Sequence, residues 1–244
     1  MSQAIDARTG QTPALVNWLG YLALALLLAL PAAVLMVRSG AWQQGLLVYA
    51  IACAGAALLV LLAVLLMLLP RFSSWRKPIA GRALLALPGA LLMLSLLGAG
   101  NYPRIHDIST DLQDPPRFTA AEQLRGPDSN SLLTDADTMA AQAQAYPDLQ
   151  TLQTHLAFEE LFDRAVGVAS DMGWEIYLQD ANAGVIEAVD TTAIMGFKDD
   201  IVIRVRTNET GALVDLRSVS RVGIGDLGAN AKRIQTFMAA LQQQ

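Results

Sequence analysis

Three short stretches of this chain carry the residue types that could do chemistry. The first is Ile105-His106-Asp107-Ile108-Ser109-Thr110-Asp111-Leu112-Gln113-Asp114-Pro115-Pro116. His106, Asp107 and Asp111 offer imidazole and carboxylate donors of the kind that hold a divalent cation. Their spacing fits neither a calcium loop nor a zinc-binding helix pair. Asp, Ser and Thr in such a string also bond nearby backbone amides, so turn chemistry is the favoured role. The second stretch alternates charge: Asp199, Asp200, Arg204, Arg206, Asp215, Arg217, Ser218 and Arg221. If Thr207 pairs with Ala212, Arg204 lies opposite Asp215 in a cross-strand ion ladder. Exposed pairs of that type are worth well under about 1 kcal/mol. The alternative is an Arg-lined groove for an anionic group or a partner's carboxylate.

The third stretch is a decoy. Gly223-Ile224-Gly225-Asp226-Leu227-Gly228 spells G-x-G-x-x-G between a strand and a helix. A dinucleotide site needs a second strand after that helix and an acid about 20 residues on. The sequence stops at Gln244, so neither is expected. Asp226 would also bring negative charge to the place where a pyrophosphate should sit. A glycine-permitted turn with Asp226 capping the final helix is the expected role.

Catalytic signs are otherwise missing. His155, one helical turn before Glu159, reads as a surface pair. That leaves His106 as the candidate general base. Cys53, the sole cysteine, excludes an internal disulfide and a thiolate zinc site. Ser109, Ser218 and Ser220 lie in no G-x-S-x-G elbow.

The elements that must position these residues divide sharply at about residue 100. Residues 1–100 hold Arg8, Arg38, Arg71, Arg76, Lys77 and Arg82 against Asp6 alone. The net charge of −5 is therefore about +5 followed by about −10. Apolar runs at about 15–37, 45–69 and 83–100 fill the first half. A bilayer core of about 30 Å takes roughly 20 helical residues. The first two runs clear that length and the third is shorter. Pro31 and the Pro88-Gly89 pair are tolerated in membrane helices. Trp18, Tyr21, Trp42, Trp75 and Tyr102 mark the ends of the runs, where amphipathic rings settle at headgroup level. The first run exceeds the 7–15 residue core of a cleaved signal peptide, so an anchoring role is expected.

Arg71, Arg76, Lys77 and Arg82 crowd the second connection, while Arg38 stands alone in the first. Basic connections stay cytoplasmic. The N-terminus is then expected inside, and the acidic half outside, in the periplasm of a Gram-negative cell. Ala50, Ala52, Ala54, Gly55 and Ala56 permit close helix approach and read as packing among the chain's own helices. No ionisable residue interrupts a run, which suits an anchor better than a transport path.

In the acidic half, Pro103, Pro115, Pro116, Pro127 and Pro147 break residues 101–149 into an extended arm. Helical spacing predicts a helix over about 149–172, capped by Asp148. Strands follow at about 174–178, 184–195, 201–206 and 212–221, the last two joined as a hairpin by Asn208-Glu209-Thr210-Gly211. The register puts Ile203 beside Leu216 and Val205 beside Val214. A last helix at about 227–242 carries Leu227, Ala231, Ile234, Met238 and Leu241 on one stripe. The fold class is a three-helix transmembrane anchor (1–100) and a Pro-rich arm (101–149), followed by a two-layer α+β domain (150–244). That domain holds a four-stranded, mostly antiparallel sheet with both helices on one face.

With those residues laid out, about 102–241 resemble the family known as domain of unknown function 1499. The likeness rests on Ile105 through Asp111 with Pro115-Pro116, on Gly196 through Arg206, on Val214 through Gly223 and on Asp226 through Ile234. It implies a bacterial domain often tied to membrane helices, with no established activity and no catalytic residue to carry over. It also makes the two segments candidates for one shared site if the arm folds back on the hairpin. The candidate binding residues are His106, Asp107, Thr110, Asp111, Asp199, Asp200, Arg204, Arg217, Ser218, Arg221 and Asn230. A module binding a partner protein or envelope component is the leading expectation. A metal-dependent enzyme or sensor built on His106, Asp107 and Asp111 is the alternative. The lipid bilayer is an expected partner; nucleic acid and dinucleotides are not.

Overall fold

A computed structural model describes residues 12–98, 100 and 102–243. Arg8 and Asp6, counted in the charge balance, and Asn101, which opens the arm, lie outside the described residues. The chain forms two compact units, residues 1–99 and 100–244.

In the first unit α1 is Ala14–Arg38 and α2 is Trp42–Leu68. A continuous helical run follows, through a 3-10 segment Pro70–Trp75, α3 (Arg76–Ala83), a 3-10 turn Leu84–Ala86 and α4 (Leu87–Leu97). Pro70 and Pro88 sit at helix starts, where a missing N–H does no harm. Among the described residues three helical stretches are long and apolar enough to cross a membrane, with mean hydropathy 2.4, 2.9 and 1.8 in chain order. The last begins at Pro70, so the basic connection expected as a loop is helical. Arg82 there donates to Asn17 Oδ1 at 2.8 Å. Ala52, Cys53 and Ala56 are buried, and a Cβ on Gly89 would stand 2.7 Å from that of Ala56. The small-residue patch therefore packs within the chain.

The second unit is an α+β domain around one antiparallel sheet of six strands rather than the four expected, because short segments at 107–109 and 152–154 also pair with the hairpin. Its strands are β1 (Asp107–Ser109), β2 (Leu152–Thr154), β3 (Glu175–Asp180), β4 (Val185–Thr191), β5 (Lys198–Asn208) and β6 (Gly211–Ser220). They lie in the order β1-β6-β5-β4-β3, with β2 also pairing β6. The hairpin register is as the turn requires, with Thr207 opposite Ala212, Ile203 opposite Leu216 and Arg204 opposite Asp215.

Helices α7 (Phe158–Asp171) and α8 (Ala229–Gln243) cover one sheet face. Leu161, Ala165 and Val168 with Ile234, Phe237 and Leu241 close over Ile186, Ile201, Ile203 and Leu216. Trp174 stacks on Phe237 at 5.4 Å. The arm lies over the other face and buries Val202 and Val219 beneath it. It contains β1 and the helices α5 (Ala121–Leu124) and α6 (Ala136–Ala145), the latter capped by Asp135, which accepts from the Thr138 amide at 2.8 Å.

Four local expectations need correction. The first long helix starts at Phe158, not at Leu149. Leu152 pairs with Val214 at the sheet edge, and Leu149 packs into the core, so the apolar spacing reflects edge-strand packing. Asp148 caps nothing there, because the cap position is Ala157. His155 precedes the helix and points a ring nitrogen at the Thr210 carbonyl at 3.4 Å. Leu227 is off the final stripe: it is exposed and precedes α8, with φ 53°. Phe237, fully buried, fills the core instead.

Candidate functional site

Strand alternation sends neighbouring residues to opposite sheet faces, and this splits the candidate residues in two. Asp200, Arg204, Arg217 and Arg221 face the arm. Asp199 and Ser218 face the helices, where Asn230, at the start of α8, meets Ser218. Ser218 Oγ donates to Asn230 Oδ1 at 2.6 Å, and Asn230 Nδ2 donates to the His106 carbonyl at 3.0 Å. Arg233 joins Asp199 at 2.6 Å and Asp190 at 2.7 Å. Asp226 accepts from the Gly228 and Asn230 amides at 2.9 and 2.7 Å, the expected cap of α8.

On the arm face the charges are buried rather than displayed. Arg217 grips Asp107 with two bonds of 2.9 and 2.7 Å, and their side chains are 2% and 5% exposed. The same guanidinium donates to the Pro116 and Leu132 carbonyls and lies 5.5 Å from the Phe118 ring centroid. Asp200, fully buried, takes two bonds from Arg221, at 3.0 and 2.7 Å. These bonds push Arg221 up from its ordinary value. Arg125 Nε stands 2.9 Å from Asp200 Oδ2, but its N–H is not aligned to make a hydrogen bond, and burial pulls Arg125 down.

Glu187, fully buried, accepts from the Thr119, Ala120 and Ala121 amides and from the Thr119 hydroxyl at 2.6–3.2 Å. Beside it the Tyr177 hydroxyl is enclosed, and burial, with the charges of Asp200 and Glu187, raises its pKa far above the usual phenol range. These contacts tie the arm onto the sheet. The ladder of exposed pairs expected at Arg217 and Arg221 is thus a buried network.

At one end this network opens. Asp215 Oδ2 takes Arg204 at 3.1 Å and Arg206 at 2.6 Å, while its Oδ1 takes the hydroxyls of Thr110 at 3.1 Å and Thr151 at 2.6 Å. Asp111 Oδ2 adds to Arg204 at 3.1 Å and Arg206 at 3.3 Å. Burial raises the Asp111 carboxyl, but the amides of Asp114 and Gln113 with Arg204 and Arg206 outweigh it, so its pKa lies below the ordinary value. Beside this group lies a cleft of about 450 Å³, lined by Thr110, Asp111, Gln113, Tyr146, Gln150 and Thr151 among others.

His106, Asp107 and Asp111 do not converge. Asp107 belongs to Arg217 and Asp111 to Arg204 and Arg206, while the backbone of His106 serves Ser220 and Asn230. Among the described residues no group of three or more His, Cys, Asp or Glu is arranged to hold a metal ion.

The sequence reading missed Glu187, Arg125, Arg233 and Gln142. Gln142 is fully buried and bonds both the N–H and the carbonyl of Ser109, at 3.0 and 2.6 Å. A single charge inside the apolar stretch Val185–Val189 was the available signal for Glu187.

Apolar helices of membrane-crossing length followed by an antiparallel α+β domain, one sheet face strapped by its own N-terminal arm, define the class. Within that class the chain belongs to the family described as "Protein of unknown function (DUF1499)", which matches residues 107–241. No curated protein matches the chain.

Proposed function

We propose that the chain is a membrane-anchored binding module of the bacterial inner membrane. Its N-terminus is cytoplasmic, and its α+β domain meets a polar envelope component in the periplasm. Orientation rests on Arg71, Arg76, Lys77 and Arg82 at the start of the third helical stretch, against Arg38 alone at the end of the first. Reporters fused after Arg76 and at the C-terminus should fall on opposite sides; same-side reporters contradict the topology.

The observation that carries the binding role is the cleft beside Arg204 and Arg206. Its volume of about 450 Å³ lies within the range of small-ligand sites, about 300–1,000 Å³. Gln113 and Gln150 bring amides that both donate and accept, as hydroxyl-rich ligands require. The flanking Arg204 and Arg206 are already engaged by three carboxylates, Asp111, Asp114 and Asp215, so the cleft offers hydrogen bonding rather than positive charge. The threonine hydroxyls there donate to Asp215, whose charge is in turn held by Arg204 and Arg206, and the reading is recognition rather than turnover. Cell-wall glycan is the polyhydroxyl component that suits it. The test is saturable binding of soluble cell-wall glycopeptide fragments to the full chain in nanodiscs. Gln150→Leu should abolish it while the melting temperature holds. No binding by the unaltered chain contradicts the reading.

A further inference from the structure

The G-x-G-x-x-G stretch lies outside the cleft, and its geometry is unusual. Ile224 and Leu227 are 67% and 63% exposed, two large apolar side chains on one loop. Leu227 is also the non-glycine residue at positive φ among the described residues, at 53°. That conformation is unfavourable for a leucine, and here the side chain stays in solvent. Gly223 and Gly228, at φ 95° and 81°, supply the turns on either side.

This loop is fastened to the start of the domain. The Asp226 amide donates to the Ile105 carbonyl at 3.2 Å. A Cβ on Gly225 would lie 3.2 Å from the Arg104 Cα, and one on Gly228 would lie 2.6 Å from the Tyr102 ring. Tyr102 is itself 43% exposed. Tyr102 follows Leu97, the last residue of the last apolar helix, by five positions in sequence, so Ile224 and Leu227 belong to the part of the domain that directly follows the apolar run.

We propose that this loop dips into the lipid interface, with Ile224 and Leu227 among the upper acyl chains and Tyr102 at headgroup level. Arg104, exposed beside them, meets lipid phosphates. Asp226 does not oppose this, since its carboxylate is engaged by the α8 amides. The glycines are needed because the loop must lie flat on the Arg104–Ile105 backbone while turning two apolar side chains outward. The inference rests on the membrane-anchor reading and is independent of the cleft.

The test places a polarity-sensitive fluorophore on single cysteines in the full chain, in a Cys53→Ser background reconstituted in nanodiscs. The sites are Ile224→Cys and Leu227→Cys, with Leu133→Cys (82% exposed) and Leu61→Cys (56% exposed, within α2) as references. Labels at 224 and 227 should be quenched several-fold more by lipid-borne nitroxide than by aqueous iodide, like the label at 61 and opposite to that at 133. If 224 and 227 follow 133 while 61 follows lipid, the loop proposal is wrong and the anchor stands. If 61 also reports water, the anchor reading falls and the loop proposal falls with it.

Discussion

Arg217 is the residue on which the attachment of the arm to the sheet most depends. Replacing it with alanine removes both bonds to Asp107 and those to the Pro116 and Leu132 carbonyls. Asp107 is left 4% exposed without a counter-ion. Breaking a buried pair from one side costs about 3–5 kcal/mol, most of it from the abandoned charge. For a protein of this size each kcal/mol lowers the melting temperature by about 2–4 °C, so a fall of about 10 °C is expected. Asp107→Ala should lose a similar amount. The double variant should lose clearly less than the two single losses together, by about 2 kcal/mol, because no buried charge remains unpaired. Urea unfolding of the full chain in detergent can be followed through Trp174, stacked on Phe237, with Trp18, Trp42 and Trp75 changed to Phe. Single losses under about 1 kcal/mol, or strict additivity, would refute the burial argument and return Arg217 and Asp107 to the list of surface binding residues.

Three further outcomes follow from the same geometry. Asp111 has a folded-state pKa below its ordinary value, so its contribution is present above about pH 4 and is lost as pH falls through the lowered value; the urea midpoint should decline below about pH 4, and Asp111→Asn should flatten part of that decline. Gly184→Ala should destabilise by about 2 kcal/mol or more, because φ is 68° and the new Cβ would lie 2.2 Å from the Val205 carbonyl; an unchanged urea midpoint would contradict this. Removing divalent cations with EDTA, or adding excess Ca²⁺, Mg²⁺, Mn²⁺ or Zn²⁺, should leave the melting temperature unchanged, since Asp107 and Asp111 are held by arginines; a rise with one ion that is lost in Asp107→Ala would revive the metal reading.

What could be read from the sequence was local. The β5–β6 hairpin, its register and its ion pair follow from strict alternation around an Asn-Glu-Thr-Gly turn. The apolar helices follow from uninterrupted length. Asp226 as a cap follows from its place before the helical stripe. What escaped was set by pairing far along the chain. Leu149, Leu152 and Leu156 fit a helical period, yet Leu152 takes its conformation from Val214, 62 positions on. The Pro-rich arm looks irregular because its order comes from carboxylates such as Glu187, which collects the amides of Thr119 to Ala121. Alternating Arg and Asp looks the same on an open sheet face as on one roofed by another segment, so burial of the ladder had no sequence signal. The arm and the hairpin do meet, and the candidate residues on them divide between two faces of one sheet.

The central claim is that these charges fix the arm while recognition belongs to the cleft. Amide hydrogen exchange on the full chain in nanodiscs, with and without soluble cell-wall glycopeptide fragments, tests it most directly. The account expects added protection confined to the segments around Gln113 and Gln150–Thr151, with the deeper Arg217–Asp107 strands unchanged. Protection elsewhere in the domain, or none at saturating fragment concentration, would contradict it.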